Sequence, residues 1–345
     1  MTQGRTLGKR VGVVAVAIGF AIGASSAPTM AKPAKQTAVK CIEYGVPPKS
    51  PKGTIPRDDL HTVNKDPLAR AIARSEASRT RAAAAADIQI PVRFLEIVKS
   101  TGNGGGNLSD ARVAAQIDAL NLGYAGTGFE FYLAENEEKV QPQWFNLIPA
   151  NGAEPRLFRG SGKEVKMKKF WADNDPETLE VYSASLGQFL LGWAYFPSDF
   201  TDSTTSNYGP LHRYLDGVVI DYRTVPVVEG DSEGDQSVYP PGTYNEGDTL
   251  THEVGHWLEL YHTFQGGCSD SPSYNGGDQV ADTPAEASPN FLCPEPGDEP
   301  RDTCPNDPGD DPVQNFMDYS FDSCLTEFTA GQAARMRVAW DTYRS

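Results

Sequence analysis

The stretch HEVGHWLELYH, residues 252–262, decides both the fold and the chemistry of this chain. His252 and His256 are four residues apart, so on a helix they lie one turn above each other and both imidazoles can bind one ion. Glu253 lies beside the pair, where a carboxylate can take a proton from a metal-activated water. The spacing HExxH therefore predicts a zinc site with a glutamate base on a helix.

His262 imposes a geometric demand on this prediction. On a continuing helix it would lie about 15 Å along the axis from His252, too far to share an ion. The helix must therefore end and the chain turn back near Glu259, where a positive φ reverses it most directly. With that turn, His252, His256 and His262 become the ligands of a zinc ion that keeps one open position.

The flanking sequence predicts a mixed sheet backed by helices, an α+β arrangement. The segment DIQIPVRFLEIVKS is predicted as a long strand and ARVAAQIDALNLGY as a helix. Further strands are predicted at GFEFYLA, EVKMKKFW, TLEVYSASL and LDGVVIDY.

Two helices are predicted in the second half of the chain. The histidine helix should begin at Asp248 or Thr249 as its cap. The terminal helix TAGQAARMRVAW carries the apolar residues Ala333, Met336, Val338 and Trp340 and should pack the lower domain shut.

The amino terminus predicts export. Basic residues precede an apolar run from Val11 to Ala24, which small residues follow. The run is shorter than the roughly 20 residues that a membrane span needs, and the pattern is typical of a signal peptide. Residues 1–27 are therefore predicted to be a signal peptide, leaving a secreted, extracellular protein without a stable membrane anchor. An uncleaved anchor is the alternative.

Charge divides the remainder of the chain. Residues 28–86 hold 11 Lys and Arg against 5 Asp and Glu, whereas residues 87–345 hold 16 against 41. The acidic body argues against nucleic acid as a partner, because phosphates need a basic footprint. We predict a basic propeptide over residues 28–86, with Arg79 and Arg81 as processing points, and a catalytic domain over residues 87–345. A solvated linker is the alternative reading of the basic segment.

Four of the five cysteines lie in the last quarter of the chain among Pro, Asp and Gly. A loop with little apolar content is typically held by disulfides, and the irregular cysteine spacing disfavours a structural zinc site. Two disulfides are predicted from Cys268, Cys293, Cys304 and Cys324.

Several segments on either side of the histidine stretch also match a known family. Over about residues 87–340 the chain resembles the pappalysin (cytophagalysin-like) family of metzincins. The segments that carry the resemblance are TLTHEVGHWLELYHTFQGGC, GDQVADTP, NFMDYSFDSC and FTAGQAARM, with IPVRFLEIV, QIDALNLGY and LGWAYFPSD upstream. The resemblance implies a metzincin-type zincin. Its upper subdomain would span about residues 87–262, and its disulfide-stapled, irregular lower subdomain about residues 263–345.

The resemblance implies a zinc-dependent endopeptidase that hydrolyses protein or peptide substrates through a zinc-bound water. Glu253 corresponds to the base, and Tyr319 to a tyrosine that stabilises the oxyanion. Met317 corresponds to the methionine of the turn that forms a hydrophobic floor under the metal.

The resemblance also implies finer features. It pairs Cys268 with Cys304 and Cys293 with Cys324, and its calcium sites make Asp278 and Asp282 candidates for Ca2+, although acidic loops are often only solvated. It places an extended substrate along the segment from Leu190 to Phe196 and the side-chain pocket beside Phe321 and Asp322.

Two residues need separate interpretation. Where the family has glycine this chain has Glu259, and a left-handed turn there costs roughly 1 to 2 kcal/mol, so an impaired site is the alternative to a competent one. Cys41 can hold the precursor latent if its thiolate occupies the fourth position on zinc. The alternative is an unpaired prosegment thiol.

Two other classes of protein remain open. A catalytically impaired or non-catalytic secreted zinc-containing binding module would not need Glu253. A zincin of the other major class would take a carboxylate from a downstream helix, but Glu286 and Glu295 lie in a proline-rich loop.

Overall fold

The computed structural model describes Leu68 and residues 87–102, 104–147, 162–186, 190–200, 212–229, 243–268 and 277–345. The strands are β1 (Ile88–Val98), β2 (Phe129–Val140), β3 (Leu179–Ala184), β4 (Gly192–Trp193) and β5 (Val218–Asp221). The α-helices are α1 (Asp110–Gly123), α2 (Pro142–Phe145), α3 (Gly162–Trp171), α4 (Asp248–Trp257) and α5 (Ala330–Tyr343). Short 3-10 helices include Pro197–Phe200 and Asp322–Cys324.

One mixed sheet organises these elements, in the strand order β2-β1-β3-β5-β4. Strands β2, β1, β3 and β5 run parallel to one another. Strand β4 pairs antiparallel with β5, with Gly192 opposite Ile220 and Trp193 opposite Val219. The fold class is therefore the predicted α+β arrangement. Among the described residues β4 is the terminal strand, and it contacts the histidine helix.

Both faces of the sheet are buried, because neighbouring residues along a strand point to opposite sides. Phe94 and Val181 pack on one face, in a cluster that includes residues of α1, α4 and α5. Leu95 and Tyr182 pack on the other face, in a second cluster that includes Met167 of α3. The parallel core strands accordingly lie between two layers of helix.

The prediction of a strand at EVKMKKFW is wrong, because this segment lies in α3. Its buried side chains are Glu164, Met167 and Lys168, spaced as on one helical face. Lys168 is fully buried, donates to the carbonyls of Leu215 and Gly217, and lies 3.3 Å from the Glu164 carboxylate. Because lysine is normally counted as exposed, the helical spacing of the buried side chains in this segment is not visible in the sequence.

The prediction for the start of the histidine helix is also wrong. The cap of α4 is Gly247, whose φ is 106°, and Asp248 is already the first helical residue. A carboxylate from another element lies at the start of the helix: Asp322 Oδ2 accepts the N–H of Glu246 at 2.8 Å, and Asp322 also accepts from the backbone N–H of Asp248, the first helical residue. The terminal helix α5 instead has a local capping box between Thr329 and Gln332.

Disulfides hold the irregular segment between α4 and α5. Cys268 is bonded to Cys304 and Cys293 to Cys324, which is the pairing that the family resemblance implies. Within the described residues, no helix combines the length and the apolar character that crossing a bilayer requires.

Arg344 fastens α5 to the end of α4. Its guanidinium pairs with Asp216 at 3.0 and 3.1 Å, donates to the Trp257 carbonyl at 2.8 and 3.0 Å, and lies 3.5 Å from the centre of the Trp257 ring. Burial opposes ionisation of Asp216, but Arg344 more than offsets this and the pKa of Asp216 is lowered. The carboxyl end of the histidine helix is thus held by a buried ion pair.

Replacing Arg344 by methionine should lower the free energy of unfolding by about 3–5 kcal/mol at neutral pH, because Asp216 is left charged and buried. Urea unfolding measures the loss, with Arg337→Met on the same helix as the control. Because the pKa of Asp216 is lowered in the folded protein, the difference should shrink as the pH falls through that pKa. A loss no larger than that of the control would contradict the anchoring role.

Candidate metal centre

Helix α4 carries two of the three histidines and ends just before the third. His252 and His256 lie on one face of the helix, and both are buried. The tail of the helix closes with a Schellman motif: Glu259 N–H donates to the His256 carbonyl at 2.9 Å and Leu260 N–H to the Gly255 carbonyl at 2.8 Å. These bonds end the helix at Trp257 and fix where the chain reverses.

Glu259 has a φ of 73°, so the chain does reverse where the sequence requires it. This left-handed conformation usually belongs to glycine. The Glu259 carbonyl accepts from Arg335 Nε at 2.8 Å. The turn then directs His262 back toward the helix.

The three imidazoles converge on one point. Their candidate ligand atoms all lie within 4.8 Å of one another, and Nε2 of His256 is 3.0 Å from Nε2 of His262. Two nitrogens of a tetrahedral zinc site lie about 3.3 Å apart when the Zn–N bonds are about 2.0–2.1 Å. The trio therefore has dimensions that suit a zinc ion.

Hydrogen bonds to backbone carbonyls orient two of the rings. His252 Nδ1 donates to the Phe316 carbonyl at 2.6 Å, and His256 Nδ1 donates to the Leu260 carbonyl at 2.7 Å. A carbonyl can only accept, so the proton is on Nδ1 and the lone pair on Nε2. Among the described residues, His252 Nε2 is buried without a hydrogen-bond partner, as expected of a metal ligand.

Burial keeps the rings neutral. It lowers the pKa of His252 to about 3, with a further contribution from His262. Burial also lowers the pKa of His262 to about 3 and that of His256 well below its ordinary value. Neutral imidazole is the form that binds a metal.

Glu253 lies between the histidine helix and the terminal strand. Its side chain is fully buried and lies against Gly192: a Cβ on Gly192 would come within 2.9 Å of Glu253 Cγ and 3.0 Å of Oε1. Glycine at position 192 therefore leaves the space that the Glu253 carboxylate occupies beside the metal ligands.

Met317 and Tyr319 lie below the histidines on one turn. Met317 is buried under Gly255, where a Cβ would collide with its sulfur. Its carbonyl accepts from Thr263 N–H at 3.2 Å. The hydroxyl of Tyr319 lies 3.2 Å from His262 Nε2, so the phenol points toward the centre of the histidine trio.

A cleft opens beside His252, with Asp248, Asp318 and Asp322 among its lining residues. Burial and then the charge of Asp322 raise the pKa of Asp248 to about 8, and burial raises the pKa of Asp322 to about 7. Phe321, also expected there, instead packs edge to face on Tyr244. The full lining is Leu191, Tyr244, Asp248, Thr249, His252, Asp318, Tyr319, Ser320, Asp322 and Leu325.

The two calcium candidates lie in different environments. Asp282 accepts from Thr329 Oγ1 and from Gly331 N–H, both at 2.8 Å, and so helps to cap α5. Asp278 is buried, and burial raises its pKa to about 8. Asp278 Oδ1 accepts from Val280 N–H at 3.0 Å, and Thr283 adds a side-chain hydrogen bond to the same carboxyl group. A cation near Asp278 would compensate this burial.

Several predictions fall outside the described residues: the signal peptide, Arg79, Arg81 and Cys41. Conversely, sequence reasoning missed residues that shape the site. The contacts of Gly192 and of the backbone carbonyls of Phe316 and Leu260 have no sequence signal, because they involve no functional side chain. Asp322 was expected beside the pocket, but its contact at the start of α4 was not; its one cue is that the glycine cap leaves this helix without a capping side chain.

Known proteins are similar to this chain in sequence and in fold. The family model described as "Pregnancy-associated plasma protein-A" matches residues 233–341. Extracellular metalloproteases of Sordaria macrospora and Verticillium alfalfae are 37% and 40% identical, covering 81% and 76% of this chain and 85% and 79% of theirs.

Solved structures agree with these relatives. Mature mirolysin of Tannerella forsythia in complex with a cleaved peptide is 27% identical, with a TM-score of 0.52, over 75% of this chain and 93% of that one. A promirolysin mutant is 26% identical, with a TM-score of 0.51, over 84% and 94%. The chain therefore belongs to the pappalysin family of metzincin metalloendopeptidases.

Proposed function

We propose that this protein is a secreted zinc endopeptidase whose metal is held by His252, His256 and His262. The observation that carries the proposal is the convergence of three buried, neutral imidazoles, one of them with an unpartnered buried Nε2 within the described part of the chain. Three imidazoles with one open position are the ligand set of a catalytic rather than a structural zinc site.

When bound, zinc supplies Lewis acidity that polarises a carbonyl and lowers the pKa of water to about 7. Glu253 takes the proton from the attacking water and passes it to the nitrogen of the departing amine. The carbonyl carbon gains the hydroxyl while the C–N bond breaks. Tyr319 donates a hydrogen bond from its hydroxyl to the oxygen that becomes negatively charged.

The substrate backbone pairs with β4 and the adjoining segment from Leu190 to Phe196. β4 is the last strand in the sheet order and runs antiparallel to β5. Glu253 packs against Gly192 in this strand, so a peptide added beyond the strand would pass close to the general base. Strand addition supplies affinity without requiring a particular sequence.

The acidic cleft beside His252 holds the substrate side chain that follows the cleaved bond. Asp322 and Asp318 are buried, and the partly buried Asp248 completes the acidic lining. A cationic side chain is the complement of such a pocket, because it compensates carboxylates that burial would otherwise keep neutral.

Export and latency complete the proposal. The relatives in Sordaria macrospora and Verticillium alfalfae are named extracellular metalloproteases, and the sequence predicts a signal peptide over residues 1–27. Residues 28–86 form the propeptide, and residues 87–345 the catalytic domain, divided near His262. Cys41 holds the precursor latent until the propeptide is removed.

A second metal stabilises the lower subdomain: Asp278 contributes to a Ca2+ site, supported by the burial of its carboxyl group, which raises its pKa to about 8. Asp282 acts at the start of α5 instead, supported by its two hydrogen bonds there.

Glu253→Gln should reduce the hydrolysis of a protein substrate by at least about 100-fold, since the proton acceptor is lost, while the protein still binds one zinc per chain. Zinc content and rate are measured on the same samples, with Glu299→Gln in an exposed loop as the control. An undiminished rate would remove Glu253 as the base. Zinc binding without chelator-sensitive hydrolysis in the natural protein would favour the binding module.

Asp322→Asn should lower the preference for arginine over methionine after the cleaved bond by about tenfold or more. Competing peptides that differ at this residue measure the ratio of kcat/KM, and Asp310→Asn in the exposed loop is the control. Because the pKa values of Asp322 and Asp248 are raised to about 7 and about 8, the natural preference should increase as the pH rises from 6 to 8.5. A preference insensitive to both pH and the substitution would contradict the pocket assignment.

Added Ca2+ should stabilise the natural protein and so raise its Tm. At a Ca2+ concentration 100 times the Kd, the free energy of unfolding should rise by roughly 2.7 kcal/mol. Asp278→Asn should abolish this rise. Asp282→Asn should lower the Tm through loss of a helix cap yet keep the rise. Equal responses in both variants would show that Asp278 is not a calcium ligand.

A further inference from the structure

The carboxylate of Glu259 joins two parts of the chain that are far apart in sequence. Glu259 Oε1 accepts from Ser198 Oγ at 2.8 Å and Oε2 accepts from Ser198 N–H at 3.1 Å. Both residues are buried. Glu259 forms the turn between the metal ligands, and Ser198 lies in the 3-10 helix Pro197–Phe200 that follows the terminal strand.

The same stretch of chain contacts the histidine site at other points. The ring of Phe196 packs on His256 and Tyr261, with centroids 5.5 and 5.2 Å apart. Further back, Gly192 lies against the Glu253 side chain. The segment from Gly192 to Ser198 therefore runs along the histidine helix and is attached at its far end by Glu259.

This attachment gives a reason for a glutamate in a left-handed turn. Glycine would adopt a φ of 73° without strain, but it offers no side chain to reach Ser198. The Glu259 carbonyl is held by Arg335, so backbone and side chain of one residue are tied to different elements. The energetic cost of the turn is offset by charge-assisted hydrogen bonds that a glycine cannot make.

We propose that Glu259 is a positioning residue: its carboxylate fixes the substrate-binding segment Gly192–Ser198 relative to the turn that carries His256 and His262. The positioning of substrate rests on the proposed function, whereas the structural tie does not. Without the carboxylate, the metal ligands stay in place but the segment moves more freely. A peptide paired with β4 then binds with a larger loss of entropy.

Amide hydrogen exchange of the metal-free whole chain tests the tie without relying on activity. In Glu259→Gly, peptides covering residues 190–200 should exchange about tenfold faster or more, since the Ser198 N–H loses a charged acceptor. Glycine suits the turn, so this variant should keep its fold. Glu259→Gln retains an acceptor and should largely restore the slow exchange.

Asn174→Gly is the matched control, because Asn174 also has a positive φ, 64°, but is exposed and donates only locally, to the Ala172 carbonyl. It should leave exchange of residues 190–200 unchanged. Unchanged exchange in Glu259→Gly as well would overturn the tie.

Kinetics of the active form recovered from the whole chain test the positioning role. Glu259→Gly should raise KM for a peptide roughly fivefold or more, with a smaller fall in kcat, and Ser198→Ala should raise KM less. In the double variant KM should match that of Glu259→Gly, because both changes remove one interaction. The positioning role would be overturned if the two single-variant effects on KM multiplied in the double variant. It would also be overturned if KM of Glu259→Gly were at or below the natural value. A natural protein without metal-dependent hydrolysis would instead refute the proposed function, and the exchange result would still stand.

Discussion

The reversal of the chain after Trp257 is the constraint on which the site depends. Helix geometry can bring His252 and His256 together unaided, but His262 reaches them only because the helix ends within three residues of His256 and the chain turns back. The Schellman hydrogen bonds define that end, and the carbonyl of Leu260, just past the turn, also orients His256. One local backbone motif therefore sets both ligand distance and ligand tautomer.

Longer-range contacts hold this reversal in place. Arg344 and Arg335 of α5 donate to the carbonyls of Trp257 and Glu259, on either side of the break. Met317 packs beneath Gly255, one turn earlier on the helix. The terminal helix and the methionine turn are thus part of the metal site although neither supplies a ligand.

Burial acts on the charged groups in two opposite ways. It keeps the imidazoles neutral, and therefore able to bind a metal, by lowering their pKa values. Around the pocket it raises the pKa values of Asp248 and Asp322. Asp216 escapes this effect because Arg344 pairs with it directly. Asp216 therefore has its positive partner within the fold. For Asp248 and Asp322 the proposed positive partner is a cationic side chain of the substrate.

The sequence predicted the parts of the molecule that depend on local spacing. The histidine helix, β1, α1 and the turn at Glu259 follow from periodicity or helix geometry, and the structure confirms them. The strand proposed at EVKMKKFW was wrong because the burial of Lys168 depends on carbonyls some 50 residues away. The contact between Ser198 and Glu259, 61 residues apart, lay equally beyond reach. Local spacing in the sequence identifies the candidate metal ligands. The contacts that hold these ligands in place are tertiary and have no sequence motif.

X-ray absorption at the zinc edge of the processed, zinc-loaded protein tests whether the three histidines hold the metal. We expect three imidazole nitrogens at about 2.0–2.1 Å with one further oxygen ligand and no sulfur. A zinc–sulfur distance of about 2.3 Å, or fewer than three imidazoles, would contradict this assignment.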